Sequence, residues 1–463
     1  MVFERDQVPG GCAGVIDEGG YRIDSGPVVL TMPRFLEEVF ASAGATMSDH
    51  LTLRPVDPMY RACFPDGSEL RLRHGVEAMT DEIRKVCGDR EAAAFVRFSR
   101  WLRDLYEVEL PHFINRNFDA PLDLARAPWA LLRLVQLGAL RRLAPTVAGY
   151  FHDPRLQQLF SFQSLYAGLS PFEALAVFGV ITYMDSVEGV YFPMGGMHEV
   201  ARSLSAAAEK GGATLAYGTP VARVTRHPDG SVAGVALESG ESIPADVVVC
   251  NADVAGTYRS LLGIAAPRTI RSGAYSPSCA LWLAGGHGEL PAGAAHHNIH
   301  FGADWRGAFD ALLRDGTCMP DPSVLVSTPT VSDPTLAPPG GHVVYALEPV
   351  PNLDGRVDWA SDAARVRDEL VARVRSFGYP VDEVEVEHFV DPPAWRAAGF
   401  ERGTPFSLAH RFFQSGPFRP RNVDARVPGL VLVGMGTVPG VGIPMVLLSG
   451  RLAAARVEEH ASA

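Results

Sequence analysis

The carboxyl-terminal part of the chain contains a turn whose residue types suit the binding of negative charge. An apolar run, LVLV, leads into a glycine-rich segment and then into a helix, and the residues of interest are Gly434, Gly436, Thr437, Gly442, Ile443 and Pro444. Glycine has no Cβ, so the backbone there can approach a ligand closely, and Pro444 suits a first helical turn. Because a helix N-terminus carries about half a positive charge, the turn is typical of a site for an anion or for a ring that gains negative charge on reduction.

The amino-terminal segment VFERDQVPGG carries a second set of such residues. Glu4 follows a short apolar strand, the place where an acidic side chain binds ribose hydroxyls in a dinucleotide-binding unit. Gly10 and Gly11 let the backbone approach a phosphate. In such units a GxGxxG turn precedes the acidic residue by about 20 residues. We therefore expect a strand and phosphate loop of about 25–30 residues ahead of Met1, and poor cofactor binding without them.

Further candidates lie at the ends of other predicted strands. They are Asp24, Ser25, Gly26, Pro27, Val221, Asn251 and Asp253. The first four form a polar turn after a short strand, and the last two end the apolar run ADVVVCNAD. Val221 lies in an edge-type strand before a hairpin, where its main-chain groups could meet an adenine; a plain core position is the open alternative.

Positioning these residues requires an α/β fold, since predicted helices alternate with strands along the 463 residues. Residues 33–46 and 75–110 have helical patterns, and residues 120–185 are helix-rich. That middle region carries an aromatic cluster: Phe160, Phe162, Tyr166, Phe172 and Phe178. Far-apart segments read as parts of one sheet. The pattern therefore predicts an α/β layer that is interrupted by an inserted, helix-rich substrate domain.

Composition excludes several classes of function. The 41 basic and 53 acidic residues give a net charge of −12, which argues against a nucleic-acid partner. The six cysteines are scattered without the spacing of a zinc site, so no metal is expected. No apolar run approaches the roughly 18–20 residues of a spanning helix. Two basic clusters, Arg133 with Arg141 and Arg142, and Arg419 with Arg421, are read as solvated surface or as membrane contacts.

Several segments together resemble the bacterial phytoene desaturase family, FAD-dependent enzymes of the wider amine-oxidase-like flavoprotein group. They are VFERDQVPGGCAG, GYRIDSGPVVLTMP, FSFQSLYAGLSPFEALAVFGVITYM, VEGVYFPMGGM, VVVCNAD and GMGTVPGVGIPMVLLSGRLAA. They follow one another from residue 2 to residue 454. The chain departs from the family at Cys12, where Arg or Lys is common, and in lacking the first strand and its GxGxxG loop.

The resemblance implies a Rossmann-like FAD-binding domain built from both chain ends and incomplete at the N-terminus. It would comprise residues 1–75, 200–275 and 425–463, with a substrate and membrane-facing domain of mixed sheet and helices at 76–199 and 276–424. Glu4 would bind the adenosine ribose, Gly10 and Gly11 would line the diphosphate, and Val221 would face the adenine. Residues 24–27, 251, 253 and the carboxyl-terminal turn would contact the ribityl chain, the diphosphate and the flavin.

The implied reaction moves a hydride from an allylic C–H of a polyisoprenoid to flavin N5, while a neighbouring carbon loses a proton. A carboxylate or histidine near the flavin would take that proton or steady positive charge. The candidates are Asp153, Asp185, Glu188 and His198. Each of three candidates has a structural alternative. Asp153 would cap a helix that begins at Pro154. Glu188 would be a surface turn residue, and His198 would be a structural histidine.

Two other functions stay open at this point: a flavin-dependent carotenoid cis–trans isomerase, and an inactive fragment that binds lipid or a partner chain. The expected substrate is phytoene or a related carotenoid. Because such a substrate is insoluble, we expect a cytoplasmic protein that attaches peripherally to the inner face of the cell membrane. The sequence carries no signal of oligomeric state.

Overall fold

The structure, a computed structural model, describes residues 1–461 and has the mixed α/β architecture that the sequence predicts. The strands are β1 (Val2–Phe3), β2 (Val15–Glu18), β3 (Tyr21–Asp24), β4 (Leu30–Thr31), β5 (Leu53–Pro55), β6 (Tyr60–Cys63), β7 (Glu69–Leu72), β8 (Val190–Pro193), β9 (Leu215–Ala216), β10 (Val221–Arg226), β11 (Val232–Leu237), β12 (Ser242–Pro244), β13 (Val248–Cys250), β14 (Ser278–His287), β15 (His297–His300), β16 (Val324–Ser327), β17 (Gly341–Val350), β18 (Val384–Val390) and β19 (Leu430–Leu432).

The α-helices are joined by short 3₁₀ and π turns. They are α1 (Pro33–Ser42), α2 (Val76–Cys87), α3 (Asp89–Glu109), α4 (Pro128–Gln136), α5 (Leu143–Tyr150), α6 (Pro154–Leu159), α7 (Gly179–Ser186), α8 (His198–Lys210), α9 (Val254–Gly256), α10 (Arg268–Arg271), α11 (Trp305–Asp310), α12 (Trp359–Ser376), α13 (Pro392–Ala397) and α14 (Ile443–Ala461). The predicted helix over 75–110 is broken at Gly88, whose φ of 92° ends α2 and starts α3.

Two short parallel strand pairs hold the ends of the chain. Strand β1 pairs with β9, and β13 pairs with β19. Within residues 1–461 the second edges of β1 and β13 pair with no other strand. The predicted buried strand over 245–253 is shorter than expected, and Val249 is 51% exposed, because one side of this strand pair is uncovered. The expectation of a preceding strand and phosphate loop stays a prediction.

A seven-stranded mixed sheet, in the order β18-β14-β17-β16-β15-β6-β7, forms the largest layer. Strand β14, second in this order, is buried along most of its length, since side chains on both faces are covered. Trp282 and Val344 face a cluster that includes Leu370 of α12, whereas Leu281 and Tyr345 belong to the main core on the opposite face. This alternation gives the sheet one face for helix packing and one face for the molecule's interior.

Helices α2 to α7 form a layer whose apolar stripes face one another. The stripe of α3 includes Leu102, Leu105 and Tyr106, at helical spacing, and Tyr106 stacks on Tyr183 of α7 with 4.6 Å between ring centroids. Strand β6, from the segment predicted to belong to the cofactor domain, pairs with β15 of the predicted substrate domain, and β7 pairs with β6 at the sheet edge. The division into two domains therefore stays a prediction.

Candidate functional site

A single cavity of about 1960 Å³ brings the two ends of the chain together. Pockets for drug-sized ligands are about 300–1,000 Å³, so this space exceeds what one such ligand needs. The predicted cofactor residues that border it are Glu4, Gly10, Gly11, Gly26, Pro27, Val221, Asn251, Asp253, Gly434, Gly436, Gly442, Ile443 and Pro444. The other three, Asp24, Ser25 and Thr437, lie behind this lining.

Asp24 and His198 support the amino-terminal glycine turn from behind. The Asp24 carboxylate accepts the backbone N–H of Met197 at 2.9 Å and that of His198 at 3.3 Å, at the start of α8. The His198 ring donates from Nε2 to the carbonyl of Pro9 at 2.8 Å. Burial raises the pKa of Asp24 to about 6, although these hydrogen bonds oppose the shift. His198 is therefore a structural residue of the turn, which agrees with its alternative interpretation as a structural histidine.

The turn at residues 24–27 packs directly against the glycine turn. A Cβ built on Gly26 would stand 1.7 Å from the carbonyl oxygen of Cys12, so only glycine fits between the two segments. The Ser25 N–H donates to the Gly14 carbonyl at 3.0 Å. The Tyr345 hydroxyl donates to the Gly26 carbonyl at 2.9 Å, which ties the turn to the seven-stranded sheet.

A buried arginine fixes the carboxyl-terminal turn. Arg419 is 2% exposed and donates to the carbonyls of Met435 at 2.6 Å and of Thr437 at 2.9 Å. Thr437 in turn donates from its hydroxyl to the carbonyl of Pro420 at 2.8 Å. Burial without an acidic partner lowers the pKa of Arg419 to about 9. The interpretation of Arg419 as a surface or membrane arginine is wrong, because its guanidinium is enclosed by this turn.

Four predicted residues border the cavity from other directions. One carboxylate oxygen of Glu4 accepts the N–H of Asp6 at 3.0 Å, which leaves the other free for a ligand. Val221 starts β10, one of the two edge strands of the three-stranded sheet. Asn251 is exposed, and Asp253 caps α9 by accepting the N–H of Ala255 at 3.0 Å.

The residues present fit a flavin dinucleotide. Gly11 and Gly442 both border the cavity, and no protein atom lies within 4 Å of the position that a Cβ would take on either. The first turn of α14 borders the same space, so its N–H groups and positive dipole end face the cavity. Gly442 has a φ of 109°, which glycine adopts readily and other residues avoid. The individual contacts of each residue with the cofactor stay predictions.

Aromatic and aliphatic side chains make the other part of the wall. Phe162, Tyr166 and Phe178 of the predicted aromatic cluster border the cavity. Phe160 instead stacks in the core on Phe95, with 5.4 Å between ring centroids. Phe172 lies beside Arg306, whose guanidinium carbon is 3.7 Å from the ring centroid. The wall therefore combines residues 162–181 with the inner face of the large sheet.

Asp185 is the candidate catalytic carboxylate that borders the cavity. It is 2% exposed and accepts hydrogen bonds from the hydroxyl of Tyr60 at 2.6 Å, the amide of Gln163 at 3.2 Å and the hydroxyl of Ser186 at 3.3 Å. Burial raises its pKa to about 6, and the three hydrogen bonds oppose that shift. At neutral pH the site can therefore present a negative charge at the apolar wall.

The other two candidate carboxylates, Asp153 and Glu188, do not border the cavity. Asp153 caps α6, where it accepts the Arg155 N–H at 2.9 Å and forms an ion pair with the Arg155 guanidinium at 2.6 Å. Glu188 lies in the turn between α7 and β8, and its N–H donates to the Tyr183 carbonyl at 3.0 Å. These positions agree with the structural readings of both residues.

Glu109 borders the cavity and was not predicted from the sequence. It is 4% exposed, and its buried Oε1 atom has no hydrogen-bond partner within residues 1–461. Its place seven residues after Leu102, four after Leu105 and three after Tyr106 puts it on the apolar stripe of α3. A glutamate on an apolar helical stripe was the signal that could have identified it.

Comparison with known proteins identifies the family. A family model described as flavin containing amine oxidoreductase matches residues 1–458. The chain belongs to this family. Two curated relatives align over nearly all of this flavin-containing amine oxidoreductase. A phytoene dehydrogenase of Streptomyces griseus is 45% identical over 98% of this chain and 90% of its own length. A zeta-carotene-forming phytoene desaturase of Myxococcus xanthus is 36% identical over 100% of this chain and 90% of its own length.

Solved structures show the same fold at low sequence identity. An oxidoreductase of Methanosarcina mazei covers 99% of this chain and 93% of its own with a TM-score of 0.60 and 16% identity. A putrescine oxidase variant, redesigned at its cofactor site, covers 100% and 93% with a TM-score of 0.58 and 13% identity. The flavin-containing family and the glycine-lined cavity together identify FAD as the cofactor of this oxidoreductase.

Proposed function

We propose that this protein is a carotenoid desaturase that uses FAD to introduce double bonds into phytoene or a closely related polyisoprenoid. The observation that carries the proposal is the continuity of one cavity from the two glycine turns to an aromatic and aliphatic wall. A long hydrocarbon without polar groups needs such a wall. The relatives at 45% and 36% identity, named phytoene dehydrogenase and phytoene desaturase, support this choice of substrate.

The chain's own residues position the substrate and keep water out. When bound, FAD supplies the hydride acceptor. The wall around Phe162, Tyr166 and Phe178 holds the polyene in a dry channel, so that an allylic C–H stays oriented toward the cofactor site. The Asp185 carboxylate, fixed by Tyr60, contributes a negative charge that steadies the positive charge developing on the polyene.

Pigment analysis tests the proposal. The protein, expressed from its own gene in cells that accumulate phytoene, should yield extracts whose absorption is shifted strongly to the red, because each new double bond lengthens the chromophore. An isomerase would change the absorption only slightly, and an inactive fragment would leave phytoene unchanged. Either of these results would overturn the desaturase proposal.

Peripheral attachment to the inner face of the cell membrane is part of this proposal. None of the helices within residues 1–461 has the length and apolarity that a membrane crossing needs. Large apolar side chains instead protrude beside the cavity on α4, its neighbouring turns and the segment at 412–413: Leu122, Trp129, Leu132, Val135, Leu140, Phe412 and Phe413. Leu140 and Phe412 also line the cavity. We name these seven residues the apolar rim.

Positive charge accompanies the apolar rim. The Pro121–Arg126 and Gly416–Phe418 turns pack together, which joins its two parts into one surface. Arg141, Arg142 and Arg411 lie next to it in sequence and form no ion pair with any residue of 1–461, whereas Arg133 pairs with Asp104 at 2.7 Å. Such a surface suits an anionic bilayer, from which an insoluble substrate could enter the cavity directly.

A further inference from the structure

Glu109 is a buried carboxyl group without a partner. Its Oε1 atom makes no hydrogen bond, and no cation of residues 1–461 pairs with it. Three residues earlier, the hydroxyl of Tyr106 is also buried without a partner. Polar groups are rarely left in this state, because an unmade hydrogen bond in a protein interior destabilises the fold. A glutamate at such a position calls for a role that its contacts within the protein do not supply.

Glu109 belongs to the wall of the cavity that holds the proposed hydrocarbon channel. Glu109 ends α3, and the cavity wall to which it belongs also includes Phe113 and Ile114 of the following turn and Met184 of α7. The same cavity is bordered by Gly442 at the proposed flavin site. A polyene lying in this channel would therefore be the partner that the protein itself does not provide.

We propose that Glu109 accepts the proton that the polyene loses during desaturation. This assignment rests on the proposed function. One allylic C–H bond breaks as its hydrogen leaves with both electrons for the flavin, which is thereby reduced. The C–H bond on the adjacent carbon breaks as its hydrogen leaves as a proton for the Glu109 carboxylate, and its electron pair becomes the new C=C bond. The polyene is oxidised by two electrons, and the carboxylate becomes a carboxylic acid.

Asp185 is less suited to take the proton. Three donors, from Tyr60, Gln163 and Ser186, occupy its oxygens and stabilise the ionised form. Glu109 has no such donors, so its carboxylate is the stronger base of the two. The two carboxyl groups then divide the work: Asp185 stays charged at the wall, and Glu109 changes its protonation state in each turnover.

Other ionisable groups near α3 do not pair with Glu109. The elements packed around this part of the helix contribute Arg34, Arg103, His112, Arg133, Tyr150 and Tyr183. None of them forms a hydrogen bond or ion pair with the Glu109 carboxyl, and burial alone raises its pKa well above the ordinary value. A group that must be ionised to accept a proton should then give a rate that increases with pH.

The test compares Glu109→Gln, Glu109→Asp and Glu109→Leu with Glu107→Gln, a control at an exposed position of the same helix. Flavin content, product formation across pH and thermal unfolding without substrate are measured for each. We expect Glu109→Gln to keep its flavin, to lose at least about 100-fold in rate, and to lose the ascending limb of the pH profile. We expect Glu109→Asp to recover part of the rate and Glu107→Gln to match the unaltered protein.

Stability provides a readout that does not depend on turnover. Because the unpaired carboxyl destabilises the fold, Glu109→Leu should unfold at a higher temperature than the unaltered protein while it forms no product. A rate for Glu109→Gln equal to that of the unaltered protein, or a lower unfolding temperature for Glu109→Leu, would overturn the assignment. Absence of desaturated product from the unaltered protein would instead contradict the proposed function.

Discussion

At the residue scale, Asp185 and Arg419 show how buried charges are used in this molecule. Arg419 is enclosed by carbonyl oxygens and fixes the shape of a turn. Asp185 is held by neutral donors and faces an apolar space. A charge that is solvated only by fixed dipoles keeps its field directed at the adjoining cavity. Burying either charge therefore costs desolvation free energy, while Arg419 fixes the turn and Asp185 directs a negative charge at the cavity.

The titration of Asp185 should be visible in protein stability. Its pKa is about 6 in the folded protein against an ordinary value of 3.8. A carboxyl with a raised folded-state pKa favours folding while it is protonated, and that contribution is lost as the pH rises from about 4 through about 6. Between these limits the unaltered protein should lose on the order of 3 kcal/mol of unfolding free energy relative to Asp185→Asn.

Denaturant unfolding at about pH 4 and about pH 7 measures this difference. Asp246→Asn is the matched control, because Asp246 is exposed. This substitution should change the unfolding free energy at about pH 4 and at about pH 7 by the same amount. If the unfolding free energies of the unaltered protein and Asp185→Asn change in parallel with pH, Asp185 does not have the buried environment described.

At the element scale, the carboxyl-terminal turn and α14 form the part of the site that the sequence identifies most directly. Their residue types act locally: glycine opens the backbone and a helix start supplies N–H groups. The contacts that stabilise the turn are not local. The N–H of Gly434 donates to the Ser449 hydroxyl at 3.1 Å, and the guanidinium of Arg419 donates to the carbonyls of residues 435 and 437.

Gly442→Ala tests whether this turn meets the flavin. A Cβ at Gly442 would touch no protein atom, so loss of stability should be limited to the roughly 1–2 kcal/mol that a positive φ costs an alanine. Flavin binding should weaken, because the new methyl group projects toward the cofactor space. The measurements are flavin absorbance per protein and thermal unfolding of the flavin-free form.

Gly240→Ala is the control for this substitution. Gly240 has a φ of 90° with no atom within 4 Å of its Cβ position, and it lies outside the cavity wall. The two variants should lose similar stability, and Gly240→Ala should retain its flavin. Equal flavin content in both variants would contradict the placement of the flavin at this turn.

At the scale of the whole molecule, the sequence predicted the class of fold and the convergence of the chain ends. Both follow from short motifs whose residue types limit backbone geometry, such as Gly26 against Cys12. The burial of individual side chains and the pairing of distant strands were harder to predict from the sequence. Arg419 was assigned to the surface because its carbonyl partners come together only in the folded chain. The pairing of β6 with β15 joins residues far apart in sequence and left no local signal.

Glu109 marks the limit of the sequence prediction within the site. Its position on the stripe of α3 follows from helical spacing, but its lack of a partner is a property of the folded interior. Asp153, in contrast, reads as a cap from its place before a proline, and it does cap α6. Local roles were thus predictable, whereas the chemistry of an unpaired buried group was not.

The apolar rim gives a prediction at the same scale. The double variant Trp129→Ser/Phe413→Ser removes two side chains that are 58% and 72% exposed, and so should not perturb the core. We expect its binding to vesicles containing phosphatidylglycerol to fall at least about tenfold, since each large buried apolar side chain contributes roughly 1.5–3 kcal/mol. Sedimentation with vesicles measures this binding.

Val331→Ser is the control, because Val331 is 49% exposed and lies outside both the rim and the cavity wall. Its binding to the same vesicles should be unchanged. Vesicles of phosphatidylcholine alone should bind the unaltered protein more weakly, because they lack the negative charge that Arg141, Arg142 and Arg411 attract. Equal vesicle binding by the double variant and the unaltered protein would exclude the rim as the membrane contact.

A single anaerobic turnover tests the central claim most directly. Flavin-loaded protein, expressed from its own gene, is mixed with phytoene in detergent or vesicles without oxygen, and the flavin and polyene absorbances are followed together. The account predicts that the oxidised-flavin band bleaches at the same rate as a more conjugated polyene forms, with one new double bond per flavin reduced. A flavin band that stays unchanged, or a polyene that changes without flavin reduction, would contradict it.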